Sequence, residues 1–296
     1  MAMIQAGDIQ LAYEESGSGE AGTVILIRGQ GTQMIHWPET FYNAFADHGF
    51  RPIRFDNRDT GLSQKFDHFG DQELEAIRKQ VAAGEDFEAP YTLEDMALDV
   101  IHLMDALDIL KAHIIGISMG GFISQVVAAK HPDRVLSMAS VMSASGGVDP
   151  QIIDLLWSQR LSREAYIQEW VDYIRMFGSP TYPEGDDYSR EIAAAAYDRC
   201  YSPDGANRQI LAILAAKKMD LPSLVKTISV PALVVHGEND GLIPPERGEE
   251  TADLIPNATF KLVPGMGHNT PPKMGKLMAD IFIEHIQSVE NPESVR

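Results

Sequence analysis

Ser118 lies in the pentapeptide Gly-Ile-Ser-Met-Gly at residues 116–120, which fits the pattern G-x-S-x-G. A buried apolar segment precedes it and an amphipathic segment follows, so we expect the serine on a sharp turn between a strand and a helix. Side chains two residues before and after the serine would collide with neighbouring backbone in so tight a turn, which explains the two glycines. The setting indicates a nucleophilic serine, whereas the five residues alone would also suit an ordinary Gly-Ser turn.

A nucleophilic serine needs a base, because its hydroxyl is a weak nucleophile until a proton is removed. Of the nine histidines, His268 is the predicted base. It follows a predicted strand at residues 258–263 and lies in the glycine-rich turn 264–268. The alternative interpretation is a solvated histidine on a surface loop.

The third member of such a triad is a carboxylate, which orients the imidazole and stabilises it once protonated. Asp240 is the predicted acid because it follows the predicted strand 231–236 and so lies at the same sheet edge as Ser118 and His268. Glu238 in the same loop and Asp149 after an earlier strand are the alternatives.

Acyl transfer also needs backbone N–H groups directed at the developing oxyanion. We assign one to Met119, the residue after the nucleophile, and the other to Gln30, in the glycine-flanked loop that follows the predicted strand 23–27. This set of groups predicts ester hydrolysis through an acyl-enzyme. Carbon–carbon bond cleavage, amide hydrolysis or perhydrolysis on the same triad, and a ligand receptor with negligible turnover, are the alternatives.

The elements that must position these groups follow from the hydrophobic pattern. An N-terminal hairpin is followed by strands and helices that alternate to residue 142 and again from residue 228, which predicts an α/β fold. Its eight strands should form a mostly parallel sheet with helices on both faces. Helical patterns alone occupy residues 143–227. We therefore expect a core of residues 1–142 and 228–296, with a helical cap of residues 143–227 inserted after the sixth strand.

Aromatic side chains are frequent in the predicted cap and would suit the roof of an apolar pocket. Trp157 and Trp170 from the cap, together with Trp37 from the core, are the predicted substrate contacts. The alternative is that such residues only hold the helices of the cap together.

Composition limits the possible partners. The chain has 24 Lys and Arg against 43 Asp and Glu, a net charge of −19, which repels nucleic acid and anionic membranes. We expect neither as a partner, and a small-molecule ester as substrate for a monomer or homodimer. No segment reads as a signal peptide or a membrane span, which predicts a cytoplasmic protein. The single cysteine, Cys200, gives no zinc framework, and the chemistry needs no metal or other cofactor.

Several motifs in order resemble a bacterial α/β-hydrolase family that includes the aclacinomycin methylesterase type of polyketide esterase. The matching segments are residues 33–37, 55–63, 116–121, 207–213, 236–240 and 265–268. The resemblance spans nearly the whole chain and implies the α/β-hydrolase fold, with Ser118 as nucleophile, Asp240 as acid, His268 as base and a helical cap over the site. The order of serine, acid and histidine is that of this fold.

One feature departs from the pattern of this fold. Many such hydrolases have His-Gly before the oxyanion residue, whereas this chain has Arg28-Gly29. We expect Arg28 to anchor its loop by pairing with a carboxylate, and binding of an acidic substrate group is the alternative. Asp56, Asn57 and Arg58 are predicted to hold loops through hydrogen bonds rather than to act in catalysis.

Overall fold

Eight β-strands form one sheet in the computed structural model, which describes residues 1–146 and 150–290. They are β1 (Ala2–Ala6), β2 (Ile9–Glu15), β3 (Thr23–Ile27), β4 (Arg51–Phe55), β5 (Ala112–Ile117), β6 (Val135–Val141), β7 (Ala232–Gly237) and β8 (Thr259–Val263). Their order across the sheet is β1-β2-β4-β3-β5-β6-β7-β8. The pairs β1–β2 and β2–β4 are antiparallel and all other pairs are parallel. The predicted eight-stranded, mostly parallel sheet is confirmed.

The α-helices of the described residues lie between and after these strands. They are α1 (Glu39–Asp47), α2 (Asp71–Ala83), α3 (Leu93–Ala106), α4 (Met119–Lys130), α5 (Pro150–Leu156), α6 (Arg163–Phe177), α7 (Asp186–Cys200), α8 (Pro203–Ala215), α9 (Leu221–Val225), α10 (Pro245–Leu254) and α11 (Gly275–Glu290). None of these helices combines the length and the apolar character that a membrane crossing requires.

Both faces of the sheet are covered, and the central strands show why. Successive side chains of a strand point to opposite faces. In β3, Ile25 and Ile27 join the core that includes α3 and α4, whereas Val24 and Leu26 join the core that includes α1 and α11. A strand covered on both sides needs an unbroken apolar sequence, which is why these strands show no alternation of polar and apolar residues.

Four helices, α5 to α8, follow β6 in the chain, where the sequence predicts helices only. The division of the chain into a core and a cap stays a prediction. Two helices were not predicted. The described side chains of α2, residues 75–83, include no buried residue, and α9 has only five residues.

The parallel arrangement places four loops at one edge of the sheet. The loops after β3, β5, β7 and β8 all leave the carboxyl ends of strands that pair in parallel. These loops carry Gln30, Ser118, Asp240 and His268. The fold therefore brings together residues that are up to 238 positions apart in the chain.

Candidate active site

Ser118 lies at the turn between β5 and α4. Its backbone has φ 55° and ψ −119°, a conformation that residues with a side chain rarely adopt. The turn is held from β6, because the Ser118 amide donates a hydrogen bond to the Val141 carbonyl at 2.9 Å. A strained backbone held by its surroundings is a common feature of functional sites.

The glycines on either side of Ser118 are required by close backbone contacts. A Cβ atom at Gly116 would overlap the carbonyl oxygen of Gly120, and a Cβ atom at Gly120 would overlap the carbonyl oxygen of Ile27. Because these neighbours are backbone atoms, they cannot move aside without distorting β3 or the turn. The prediction that side chains at both positions would collide with neighbouring backbone is confirmed.

His268 lies between Ser118 and Asp240. Its Nδ1 is 2.7 Å from Asp240 Oδ2 and its Nε2 is 3.2 Å from Ser118 Oγ. An ionised carboxylate can only accept, so Nδ1 carries the proton that faces Asp240, and Nε2 is free to accept the proton of the Ser118 hydroxyl. The structure thus brings the three predicted residues into one hydrogen-bonded chain, and their catalytic roles stay predictions.

Asp240 is buried and strongly hydrogen-bonded. Its Oδ1 accepts hydrogen bonds from the amides of Leu242 at 3.0 Å and Ile243 at 2.9 Å. Burial alone would raise the pKa of Asp240, but the charge of His268 and hydrogen bonds from His236, His268 and the Ile243 amide outweigh this and hold the pKa well below its usual value. The carboxylate is therefore ionised at neutral pH, as the partner of an imidazolium must be.

The alternative acid Glu238 does not occupy this position. Glu238 is exposed, and its Oε2 accepts a hydrogen bond from the Gly265 amide at 3.2 Å. It therefore braces the loop that carries His268 instead of contacting the imidazole. Asp149 lies outside the described residues.

The predicted oxyanion donors, Gln30 and Met119, both line the cavity into which Ser118 opens. Within the part of the chain that the structure describes, neither main-chain amide donates a hydrogen bond. The backbone of the first loop also comes close to the nucleophile, since a Cβ atom at Gly29 would lie 3.1 Å from Ser118 Cβ. Two free amides beside the serine are the arrangement that oxyanion binding requires.

Helix α8 holds the loop that carries Gln30. The Gln30 side-chain amide donates to the Ala206 carbonyl at 3.0 Å, and the Gly31 amide donates to Gln209 Oε1 at 2.8 Å. The Gln30 side chain thus points to α8, so the residue can serve an oxyanion only through its main chain.

Comparison with known proteins agrees with this geometry. Residues 22–271 match the family model described as the alpha/beta hydrolase fold. The chain belongs to the α/β-hydrolase fold family. The resemblance seen in the sequence is thereby confirmed at the level of the family and the fold.

Relatives of this α/β-hydrolase include enzymes with different names. It is 23% identical to rhodomycin D methylesterase DauP of Streptomyces sp. (strain C5), over 97% of this chain and 98% of the relative. It is 27% identical to the putative non-heme bromoperoxidase BpoC of Mycobacterium tuberculosis, over 88% and 91% respectively. Among solved structures, the enol-lactonase from Burkholderia xenovorans LB400 superposes with a TM-score of 0.72 at 24% identity, covering 98% of this chain and 100% of that one.

A cavity of about 740 Å³ opens above Ser118 in this α/β-hydrolase. Much of its wall is apolar and comes from α5, the residue after it and α6, including Leu155, Leu156, Trp157, Tyr166, Trp170 and Phe177. Trp157 and Trp170 therefore lie where the sequence predicts substrate contacts. Within the described residues, no cluster of three or more His, Cys, Asp or Glu side chains is arranged to hold a metal ion.

The prediction for Trp37 is corrected by the structure. Trp37 does not line the cavity: it is 2% exposed and its ring stacks on Phe41 with centroids 4.9 Å apart. The helix α1 that follows it turns the indole into the core. Trp37 meets the site only indirectly, because the Arg28 guanidinium lies over its ring.

Arg28 lines the cavity and has partners other than those expected. Its Nε donates to Thr32 Oγ1 at 3.3 Å and its Nη1 to Thr270 Oγ1 at 3.2 Å. Among the described residues, no carboxylate lies within 4.0 Å of the guanidinium. The expected ion pair is therefore wrong. Burial lowers the pKa of Arg28 to about 10, so the group is still charged at neutral pH.

The loop after β4 forms the predicted hydrogen-bond network beneath the site. Asp56 accepts the Met34 amide at 2.8 Å and pairs with Arg199 at 2.7 Å. Asn57 Nδ2 donates to the Arg28 carbonyl at 3.0 Å. Hydrogen bonds of this kind fix the loops that carry the cavity wall, and the supporting role predicted for these residues is confirmed.

Two polar residues of the cavity wall, His36 and Glu184, were not predicted. Burial and the charge of Arg28 lower the pKa of His36 to about 3, so its ring is neutral. Glu184 accepts hydrogen bonds from Ser189 Oγ at 2.9 Å and Asn269 Nδ2 at 3.0 Å, and burial raises its pKa. Glu184 belongs to no sequence motif, and His36 lies in the matching segment 33–37 but was given no role there, so only the fold could reveal that both face the site.

Proposed function

We propose that this α/β-hydrolase is a serine hydrolase that cleaves carboxylic esters of small to medium, largely apolar compounds through an acyl-enzyme intermediate. One observation carries the proposal: the His268 imidazole bridges Asp240 Oδ2 at 2.7 Å and Ser118 Oγ at 3.2 Å at the base of a large cavity. The similarity to a methylesterase supports an ester over other acyl compounds.

The mechanism follows from the positions of these groups. Ser118 Oγ attacks the ester carbonyl while its proton passes to His268 Nε2, and the ionised Asp240 stabilises the imidazolium. The amides of Gln30 and Met119 bind the oxyanion, and removal of one such donor typically lowers the rate by about 10²- to 10³-fold. The imidazolium then gives its proton to the departing alkoxide. A water molecule, deprotonated by His268, attacks the acyl-enzyme and releases the acid.

Labelling with a fluorophosphonate probe tests the proposal, because the probe reacts with a serine that a neighbouring base activates. We expect labelling of the native protein and loss of labelling in Ser118→Ala. Ser288→Ala is the matched control, since Ser288 lies on α11 and its hydroxyl only donates to the His285 carbonyl. Equal labelling of native protein and Ser118→Ala would mean that the nucleophile is misassigned. An inert native protein would favour the ligand receptor.

The esters themselves form the second half of the test. A panel of methyl, acetyl and 4-nitrophenyl esters should be hydrolysed by the native protein, with the activity lost in Ser118→Ala. Faster cleavage of a diketone or an amide than of any ester would instead assign one of the alternative reactions to the same three residues.

Perhydrolysis is a second candidate, favoured by the similarity to a protein named a putative non-heme bromoperoxidase. In this reaction hydrogen peroxide replaces water in the attack on the acyl-enzyme, so that the product is a peracid. The ratio of peracid to acid formed from one ester in the presence of hydrogen peroxide distinguishes the two reactions. We expect the acid to dominate, and a dominant peracid would reverse the assignment.

A further inference from the structure

We propose that the cavity binds substrates that carry a free carboxylate besides the ester group, and that Arg28 is the residue that binds this carboxylate. The inference rests on the proposed function for the reaction, but binding of a carboxylate by Arg28 does not require turnover.

The positive charge of Arg28 lies in a buried environment. Arg28 is 8% exposed, and its partners are two neutral hydroxyl groups and an aromatic ring. Burial of a cation is unfavourable unless an anion compensates it, so buried charges in proteins are normally paired. The described residues supply no carboxylate within ion-pair distance, whereas the guanidinium lines an open cavity. A bound anion would complete the site.

The position of Arg28 in the cavity also supports the proposal. Its Nη1 contacts Thr270, which follows His268 by two residues. Its chain neighbour Gly29 approaches Ser118 so closely that a Cβ atom there would lie 3.1 Å from Ser118 Cβ. The guanidinium therefore belongs to the part of the cavity beside the nucleophile and the base, where it can contact a substrate whose ester lies on Ser118.

Two further polar side chains, Trp170 and His36, belong to the wall of the same cavity. Trp170 Nε1 is buried and has no hydrogen-bond partner among the described residues, and an indole N–H can only donate. Its ring lies 4.9 Å from that of His36, whose Nε2 is also buried without a partner in the described chain. Unpartnered buried polar atoms in a cavity wall suit a polar ligand group, and a carboxylate accepts from both a guanidinium and an indole.

The opposing charges must also be considered. Glu169, Asp172 and Glu184 line the cavity, and their carboxyl groups would repel a bound carboxylate. The Glu184 carboxyl group is held by Ser189 Oγ at 2.9 Å and Asn269 Nδ2 at 3.0 Å and lies outside ion-pair distance of Arg28. The net charge of −19 also disfavours approach of an anion. A preference for an anionic substrate would therefore have to come from a local cation, and Arg28 is the one lysine or arginine among the described residues that line the cavity.

Two esters that differ only in the free carboxylate test the proposal: mono-4-nitrophenyl adipate and its methyl ester. The measured quantity is the ratio of their kcat/KM values, anionic over neutral, so any general loss of activity cancels. We expect Arg28→Gln to lower this ratio at least tenfold relative to the native enzyme, because a charge-assisted hydrogen bond is lost. Arg134→Gln is the matched control: it removes the same charge outside the cavity and should keep the ratio within twofold.

Smaller effects would overturn the proposal. A ratio in Arg28→Gln within threefold of the native value, or an equal fall in Arg134→Gln, would show that Arg28 does not bind the carboxylate. If Arg28→Gln does not fold, Arg28→Lys replaces it. This variant keeps the charge but loses the fork of donors, so its ratio should fall below the native value, and a ratio equal to the native value would overturn the proposal.

Calorimetry on Ser118→Ala separates this inference from the proposed function. Monomethyl adipate should bind at least tenfold more tightly than dimethyl adipate, and the difference should vanish when Arg28→Gln is added. If the native protein hydrolyses neither nitrophenyl ester but this difference is seen, the proposed function fails and the inference stands. Equal binding of the two compounds to Ser118→Ala would overturn the inference whatever the activity.

Discussion

Replacement of Asp240 by asparagine would remove the negative charge of this residue and keep nearly the same side-chain shape. In the native protein Oδ1 accepts the amides of Leu242 and Ile243 at 3.0 and 2.9 Å. The asparagine oxygen should keep these two bonds, which turns its NH₂ group toward His268 Nδ1, 2.7 Å away in the native site. Nδ1 can accept from that group only when the ring proton moves to Nε2. Such an imidazole cannot accept the proton of Ser118.

The wrong tautomer lowers kcat by about 10⁴-fold in a serine protease triad, which corresponds to about 5.4 kcal/mol of barrier. We expect a loss of this order in Asp240→Asn, with KM little changed because Asp240 does not line the cavity. Steady-state hydrolysis of a 4-nitrophenyl ester provides both constants. Native circular dichroism would show that the variant is folded.

Glu238→Gln is the matched control, since it makes the same chemical change in the same loop at an exposed side chain. Its kcat should stay within about threefold of the native value, because the glutamine oxygen can still accept from the Gly265 amide and exposed substitutions that keep such a contact have small effects. If Asp240→Asn kept more than a tenth of the native kcat, or if Glu238→Gln lost as much activity as Asp240→Asn, the assignment of the acid would be refuted.

Three further predictions concern the same region. In Gly267→Ala the new Cβ would lie 2.5 Å from the Phe177 carbonyl oxygen. We expect this contact to displace the loop that carries His268 and to lower kcat at least hundredfold. An unchanged kcat would contradict this. In Gly29→Ala the Cβ would lie 3.1 Å from Ser118 Cβ, so kcat should fall about tenfold with little change in Tm, and a large fall in Tm would point to misfolding instead. The lowered pKa of His36, about 3, means that the unfolded chain takes up a proton below pH 6.5 that the native ring does not. The part of the free energy of unfolding that depends on His36 is therefore fully present above pH 6.5 and falls by about 2 kcal/mol between pH 7.5 and 5.0. Between pH 7.5 and 5.0 the free energy of unfolding of His36→Asn, measured in urea, should fall by about 2 kcal/mol less than that of the native protein. An equal fall in both proteins would refute the reasoning.

The convergence of the triad could be predicted because it depends on topology. Unbroken apolar strands alternating with helices require a parallel sheet, and a parallel sheet brings the loops after its strands to one edge. The turn at Ser118 was also predictable, since its two glycines are explained by backbone contacts within and next to the turn itself. In each case the signal is local or periodic.

The surroundings of Arg28 could not be predicted in this way. Its partner Thr270 is 242 residues away in the chain, and nothing in either segment signals the contact. Trp37 was misjudged for a related reason: whether its indole faces the cavity or the core depends on the direction in which α1 leaves the loop. Contacts between distant side chains depend on packing, which periodicity does not encode.

The position of the base depends on the end of α6 as well as on its own loop. The His268 amide donates to the Phe177 carbonyl at 2.6 Å, and the Gly267 amide donates to Ser179 Oγ at 2.9 Å. Asn269 Oδ1 accepts from both the amide and the hydroxyl of Ser179. Three consecutive residues of the base loop are thus bonded to the segment that ends α6, a helix that also lines the cavity. The segment that ends a helix of the cavity wall therefore also fixes the position of the imidazole, because one set of hydrogen bonds joins the two.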